Sequence, residues 1–181
     1  MDDDPPPEVL VEVVLLRLDQ RAGTTGLAYR TVRVPLGAGT PDEVARRACA
    51  PAGGGQPVDV LHSTSWRHEP GAGIVLTYAA LLDPDPGAPA VPLVRPSVVS
   101  SGDPLRPQPE LLHPHHVVAH AVRHLVELAG RDPAVRAAAA VPARRVTWEV
   151  MTDQASRTPT GTHAQTHAAA GAASVAPTRT A

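Results

Sequence analysis

The chain is 181 residues long with a net charge of −2, a length that suits one domain with tails and a sizeable core. It contains no Lys and no Phe, so all sixteen basic residues are Arg, and their dispersal leaves no basic patch of the kind nucleic-acid binding requires. The single cysteine, Cys49, excludes an internal disulfide and any multi-cysteine zinc site, and no apolar run approaches the length of a membrane span.

Ile occurs only at Ile74, while Ala, Pro, Val and Arg abound. That is the signature of a GC-rich bacterial genome, so the missing Lys reflects codon usage rather than Arg chemistry. Residues 1–7 open Met1-Asp2-Asp3-Asp4-Pro5-Pro6-Pro7, the opposite of a basic signal-peptide start. A disordered leader and a cytoplasmic location are expected. Val9 to Leu18 is almost continuously apolar and β-branched, broken by Glu12 and Arg17, and reads as a central strand or a buried helix segment. After a turn-rich loop from Gln20 to Gly26, Tyr29 to Leu36 alternates and reads as a second strand, antiparallel to the first. Thr40-Pro41-Asp42-Glu43 starts a helix, with Thr40 as cap, Pro41 in the first turn and Glu43 placed for a capping box. It runs to about Cys49, with Val44, Ala45, Ala48 and Cys49 inward and Arg46 and Arg47 outward.

The stretch from Val58 to Leu82 has the densest apolar patterning and reads as a β-hairpin turning at His68 to Gly73. A register with Trp66 opposite Ile74, Thr64 opposite Leu76, His62 opposite Tyr78 and Val60 opposite Ala80 gathers Val60, Trp66, Ile74, Leu76, Tyr78 and Leu82 on a core face. Ser63, Ser65, Arg67 and Thr77 then share the polar face. His62 and Thr64 would intrude on the core face, with Tyr78 the natural partner for His62. Val91 to Val99 carries Pro92 and Pro96 and is at best an edge strand. His115 to Ala129 is the strongest helix in the chain. Val117, Val118, Ala121, Val122, Leu125, Leu128 and Ala129 form one stripe, His116, His120, Arg123, His124 and Glu127 lie opposite, and Gly130 terminates. Asp132-Pro133 starts a short helix to Ala140, and Thr147 to Ala155 forms a last amphipathic segment around Trp148 and Met151. Residues 156–181 are small, polar and alanine-rich, a tail expected to be mostly disordered. The fold class is therefore α+β: a small, mainly antiparallel sheet covered by one long helix, with short additional helices, in one domain over residues 8–155.

Three groups of residues carry possible chemistry. His116, His120 and His124 stand at i, i+4, i+8, a spacing that lets neighbours grip a transition metal, and His163 and His167 repeat it. No HExxH signature or nearby carboxylate set completes a site, so the reading set against it is a solvated helix face without metal or cofactor. Ser63 and Ser65 suggest a nucleophile but lack a nucleophile-elbow context. Arg67 beside Ser63, Ser65 and Thr77 suits anion recognition through its planar fork of donors, against the alternative of an ordinary exposed strand face. Gly53-Gly54-Gly55 precedes a strand and lacks the geometry of a phosphate loop.

The run His62 to Arg67 with Val75-Leu76-Thr77-Tyr78, and the helix run His120-Ala121-Val122-Arg123-His124-Leu125, resemble a family of small actinomycete-type proteins with no established activity. The resemblance covers roughly residues 8–150 and implies a shared fold. The order strand, strand, helix, hairpin, helix also resembles a Nudix domain. The helix at Pro41 to Cys49 departs from that family, because Arg46-Arg47-Ala48-Cys49 replaces the glutamates that hold magnesium. A Nudix-like fold here would have lost the hydrolase site.

The leading expectation is a cytoplasmic binding or interaction protein with a polar patch of His62, Ser63, Ser65, Arg67 and Arg123, taking a small anionic ligand or a protein partner. The alternative is a small-molecule hydrolase, with Arg67 fixing an anion, His120 or His124 as acid/base and Ser63 as nucleophile. The two differ in convergence: catalysis requires Arg67, a serine and a histidine around one concave site.

Overall fold

Val9–Arg21 (β1) is the central strand, because its apolar residues on both faces need cover on both sides. It pairs antiparallel with Thr24–Pro35 (β2) in unbroken register from Leu10↔Pro35 to Arg21↔Thr24. The expected loop at 20–26 therefore shrinks to a tight turn with Gly23 at φ 79°, a value that favours glycine. The computed structural model describes residues 8–21, 23–50, 58–94, 96–106, 108–158 and 160–162. The leader at 1–7, the glycine cluster at 53–55 and the tail histidines His163 and His167 lie outside the described residues.

Pro41–Ala48 (α1) forms as its start signal predicts, with Glu43 N–H donating to Thr40 Oγ1 and Thr40 N–H to Glu43 Oε2. The chain then makes the hairpin of Val60–Glu69 (β3) and Gly73–Leu81 (β4). β4 lies parallel to β1 from Val9↔Ile74 to Leu16↔Leu81. Val91–Pro92 (β5) adds an edge strand to β2, so the described residues form a five-stranded, mostly antiparallel sheet in the order β3-β4-β1-β2-β5. Val98–Ser100 (β6) pairs instead with Thr160–Thr162 (β7).

Helices cover both faces. Pro114–Arg131 (α2), Pro133–Ala139 (α3) and Arg145–Arg157 (α4) pack on the side carrying Val14, Leu16, Leu27, Val60, Ala79 and Leu81. The shorter α1 places Val44, Ala45 and Cys49 against Val11, Val13, Leu15, Tyr78 and Ala80 on the other. α2 does not stop at Gly130. It ends at Asp132, whose N–H bonds Leu128 O at 2.7 Å while its carboxylate caps α3 at the N–H groups of Ala134 and Val135. α4 and β7 carry ordered chain past residue 155, where the tail was expected to begin. Among the described residues no helix is long and apolar enough to cross a membrane.

The central hairpin departs from the expected register. Trp66 pairs with Leu76, His62 with Ala79 and Val60 with Leu81, and the ladder shifts between Ser63 and Ser65. Thr64 is the extra residue of this bulge, and its hydroxyl donates to Thr77 O at 3.2 Å, close to the interrupted ladder. One extra residue reverses the parity of everything before it. Ser63 therefore leaves the face shared by Ser65, Arg67 and Thr77 and joins Tyr78 on the α1 side. Trp66 also falls on the α1 side, near the hairpin end, and is 71% exposed rather than core, whereas Arg67 turns inward and is 8% exposed. Trp148, at 6%, is the tryptophan the core uses.

The two tryptophans should respond oppositely to truncation. Trp148→Ala should lower unfolding free energy by about 3–5 kcal/mol, and Trp66→Ala by no more than about 0.5 kcal/mol, in parallel urea titrations. Equal losses would contradict the exposed placement of Trp66.

Candidate functional site

Glu12, an acid within the apolar run of β1, points to the α2 side and is buried. It is met from both neighbouring hairpins. Arg67 donates from Nη1 to Glu12 Oε2 at 2.9 Å and from Nη2 to Oε1 at 3.1 Å, and Arg33 Nε donates to Oε1 at 2.7 Å. Arg67 also donates to Thr77 Oγ1 at 2.9 Å and to Glu69 Oε2 at 3.2 Å, and Arg33 Nη1 to Glu69 Oε1 at 3.0 Å. The Arg33 guanidinium, more than any other group, holds the Glu69 carboxyl below its ordinary value. Two arginines and two carboxylates thus cancel. Arg67, expected as a free anion anchor, has both terminal nitrogens spent, because a buried carboxylate in β1 must be neutralised.

Two adjoining cavities run between β3 and α2 and share Arg67, Gln108, Leu112 and Val117. The first, about 350 Å³, overlies the ionic cluster. The second, about 300 Å³, is walled mainly by apolar side chains, including Val98, Val99, Leu112 and Val117, with Ser65, His116 and His120 as polar wall groups and Trp66 beside them. Gln108 closes the groove against the sheet edge: His68 N–H donates to its Oε1 at 3.2 Å, and its Nε2 donates to His68 O at 2.9 Å. The amide thus takes the place of a neighbouring strand and blunts part of an edge that would otherwise be open.

The helix histidines face the hairpin rather than solvent. His116, expected on the polar side of α2, is 7% exposed, and its Nδ1 accepts from His113 N–H at 3.2 Å. His120 lines the apolar groove, and His124 lies with its ring centroid 5.5 Å from that of His62. Burial first, then the charges of His62 and His120, lower the His124 pKa, opposed by Glu127. Arg123 pairs with Glu127 at 3.1 Å along α2 and does not line the groove. Among the described residues no group of three or more His, Cys, Asp or Glu side chains could hold a metal ion.

Toward α1, Ser63 lines a separate cavity of about 680 Å³ with Asp42, Arg46, Cys49, Asp59 and Tyr78, and His62, on the edge strand, borders it as well. His62 Nδ1 contacts Ser63 O, not the hydroxyl, at 2.7 Å, and since a carbonyl only accepts, Nδ1 carries the hydrogen. Tyr78 does not partner His62. Its hydroxyl donates to Asp42 Oδ1 at 2.5 Å, and burial first, then Asp42, push its pKa up to about 12. Burial raises the Cys49 thiol to about 11, so it is not a thiolate near neutrality. The two acids that open α1 are engaged, Asp42 by Tyr78 and Glu43 by its cap.

Ser65, Arg67, His116 and His120 therefore converge on one groove, whereas Ser63, His124 and Arg123 do not line it. Glu12 and Gln108 were missed by sequence reasoning. A lone acid inside an apolar strand signals a buried partner, which makes Glu12 findable; nothing local marks Gln108. Comparisons with protein-family models, curated proteins and solved structures give no match to this chain.

Arg67→Ala should destabilise by about 3 kcal/mol, the low end of the cost of breaking a buried pair, since Arg33 still holds Glu12. A change under about 0.5 kcal/mol in denaturant unfolding would mean that Arg67 is a solvated charge. His124 binds its proton less well folded than unfolded. Its contribution to stability is complete above the unfolded value of about 6.5 and is lost as pH falls from there through the depressed folded value. Cooling of the melting temperature between about pH 7.5 and pH 5 should be smaller in His124→Gln than in wild type. Identical pH slopes would exclude that role.

Proposed function

We propose that this chain is a cytoplasmic binding protein whose site is the apolar groove between β3 and α2, and that its occupant is an apolar side chain presented by a protein partner. The observation that carries this reading is Trp66, 71% exposed beside a groove walled by Val98, Val99, Leu112 and Val117. Tryptophan is among the residues most enriched at binding hot spots. The groove's volume of about 300 Å³ lies at the small end of small-molecule pockets and suits a single anchoring side chain. Arg33 and Arg67 are balanced by Glu12 and Glu69, which counts against a small anion as the occupant. A single buried cysteine is compatible with a reducing compartment. A bacterial, GC-rich origin and kinship with the small actinomycete-type proteins belong to the same proposal.

A hydrolase is the second reading, favoured by the convergence of Ser65, Arg67 and His120. It asks Arg67 to bind substrate while already holding Glu12, and Ser63 no longer supplies the nucleophile on that side. The test is selection of peptides against the full chain from a library, followed by affinities for wild type and Trp66→Ala. Loss of at least about 2 kcal/mol, near thirty-fold, is expected for Trp66→Ala with the melting temperature retained. Peptides that bind both proteins equally would sink the groove as the site.

A further inference from the structure

The cavity of about 680 Å³ toward α1 is separate from the β3–α2 groove, and its size falls within the range of about 300–1,000 Å³ of small-molecule sites. Three elements bring its polar groups together. Ser63 on β3 pairs with Tyr78 on β4, and the Tyr78 hydroxyl donates to Asp42 Oδ1 on α1 at 2.5 Å. With its pKa pushed up to about 12, that hydroxyl stays a donor to Oδ1 and leaves Oδ2 for another partner. Arg46 follows Asp42 by one helix turn, a spacing that sets Cβ atoms about 5–6 Å apart. Asp59, also on the wall, is already neutralised by Arg144. Among the described residues, however, neither Asp42 nor Arg46 has an ion-pair partner, and the two do not pair with each other. The Arg46 guanidinium and the Ser63 hydroxyl likewise make no hydrogen bond among those residues.

We infer that this cavity binds a free α-amino acid with an apolar side chain. The charges of the wall select that class. A bare anion drawn to Arg46 would meet Asp42, and a bare cation drawn to Asp42 would meet Arg46. A zwitterion satisfies both: its ammonium donates to Asp42 Oδ2, its carboxylate accepts from the guanidinium fork, and the Ser63 hydroxyl adds a neutral donor. The two charged ends of an α-amino acid are joined through one carbon, which suits partners one helix turn apart. The ligand's side chain meets the rest of the wall, where Val58 and Leu61 are apolar and the Cys49 thiol is uncharged near neutrality. A charged side chain would bring a third charge into the cavity with no partner left to take it.

The test titrates the full chain separately with L-leucine, L-methionine and L-phenylalanine. At least one should raise the melting temperature in a concentration-dependent way. Two analogues of that ligand then separate the charges: its amide lacks the carboxylate, and its deamino acid lacks the ammonium. Each should bind at least about ten-fold more weakly in isothermal titration, the cost of one hydrogen bond to a charged group. Arg46→Gln should weaken the amino acid by as much and leave the amide unaffected. Asp42→Asn, which retains an oxygen for Tyr78, should weaken the amino acid but not the deamino acid. Arg47→Gln, at the neighbouring arginine outside the cavity wall, should leave every affinity unchanged. Arg46 is exposed, so the ligand-free melting temperature of Arg46→Gln checks that the fold survives, and that variant decides the matter if Asp42→Asn fails to fold. No thermal shift with any of the three amino acids would overturn the inference. So would a deamino acid that binds as tightly as the amino acid, the mark of a plain anion site, or full affinity in Arg46→Gln.

Discussion

A carboxylate in the central strand of a sheet covered on both faces cannot stand alone, and Glu12 is such a group. Its neutralisation by Arg67 and Arg33 ties β3 and β2 to β1 through side chains as well as backbone. Asp83, just beyond β4, repeats the device on a second carboxylate. Arg30 donates to both of its oxygens, at distances from 2.8 to 3.1 Å, and Arg17 adds a further contact at 3.4 Å. Arg17 also reaches the carbonyls of Asp85 and Ala88, fastening the loop that leaves the sheet. In a chain without Lys these contacts use the guanidinium fork, which suits a carboxylate better than a point charge does. The buried acids give four of the arginines, Arg17, Arg30, Arg33 and Arg67, a structural task.

The bulge at Thr64 turns that constraint into a surface. Without the extra residue, one strand face would hold Ser63, Ser65 and Arg67 together and the other would hold His62 and Thr64. With it, His62 joins Ser65 and Arg67 on the α2 side and Ser63 moves to the α1 side, while Trp66 keeps its place on the edge strand, bordering the groove. α1 is only eight residues long and packs around Tyr78 and Ala80. Trp66, opposite Leu76 and nearer the hairpin turn, is left exposed. Arg67 is buried because its face is covered by α2, and Trp66 is exposed because the cover on its own side stops short of the hairpin end. The exposed indole thus borders an apolar groove next to charges that are already paired.

The histidines divide by the same geometry. Those at the start of α2 gather around one another, His113 and His115 stacked and His116 turned edge-on to both. Those further along the helix meet β3. A helical wheel places His116, His120 and His124 together opposite the apolar stripe, and that holds as far as the helix alone is concerned. It does not reveal that the edge strand reaches around to that side, so that His116 is buried and His124 has a buried nitrogen without a partner.

Elements set by local chemistry were legible in the residues. The Thr40 cap with Pro41 and Glu43, the Asp132-Pro133 start, the long apolar stripe of α2 and the β-branched run of β1 each depend on neighbours in the chain, and each formed where it was expected. The α+β class with a mainly antiparallel sheet followed from their order. Parity in the central hairpin was not legible. With both sheet faces covered, apolar and polar residues no longer mark inside and outside, and nothing in His62 to Arg67 announces that Thr64 is the extra residue. The partners of Glu12, the role of Gln108 at the edge of β3 and the approach of His62 to His124 join residues 21 to 62 positions apart. Such contacts are decided by how the sheet twists and the helix lies across it, so only the tertiary structure could place them.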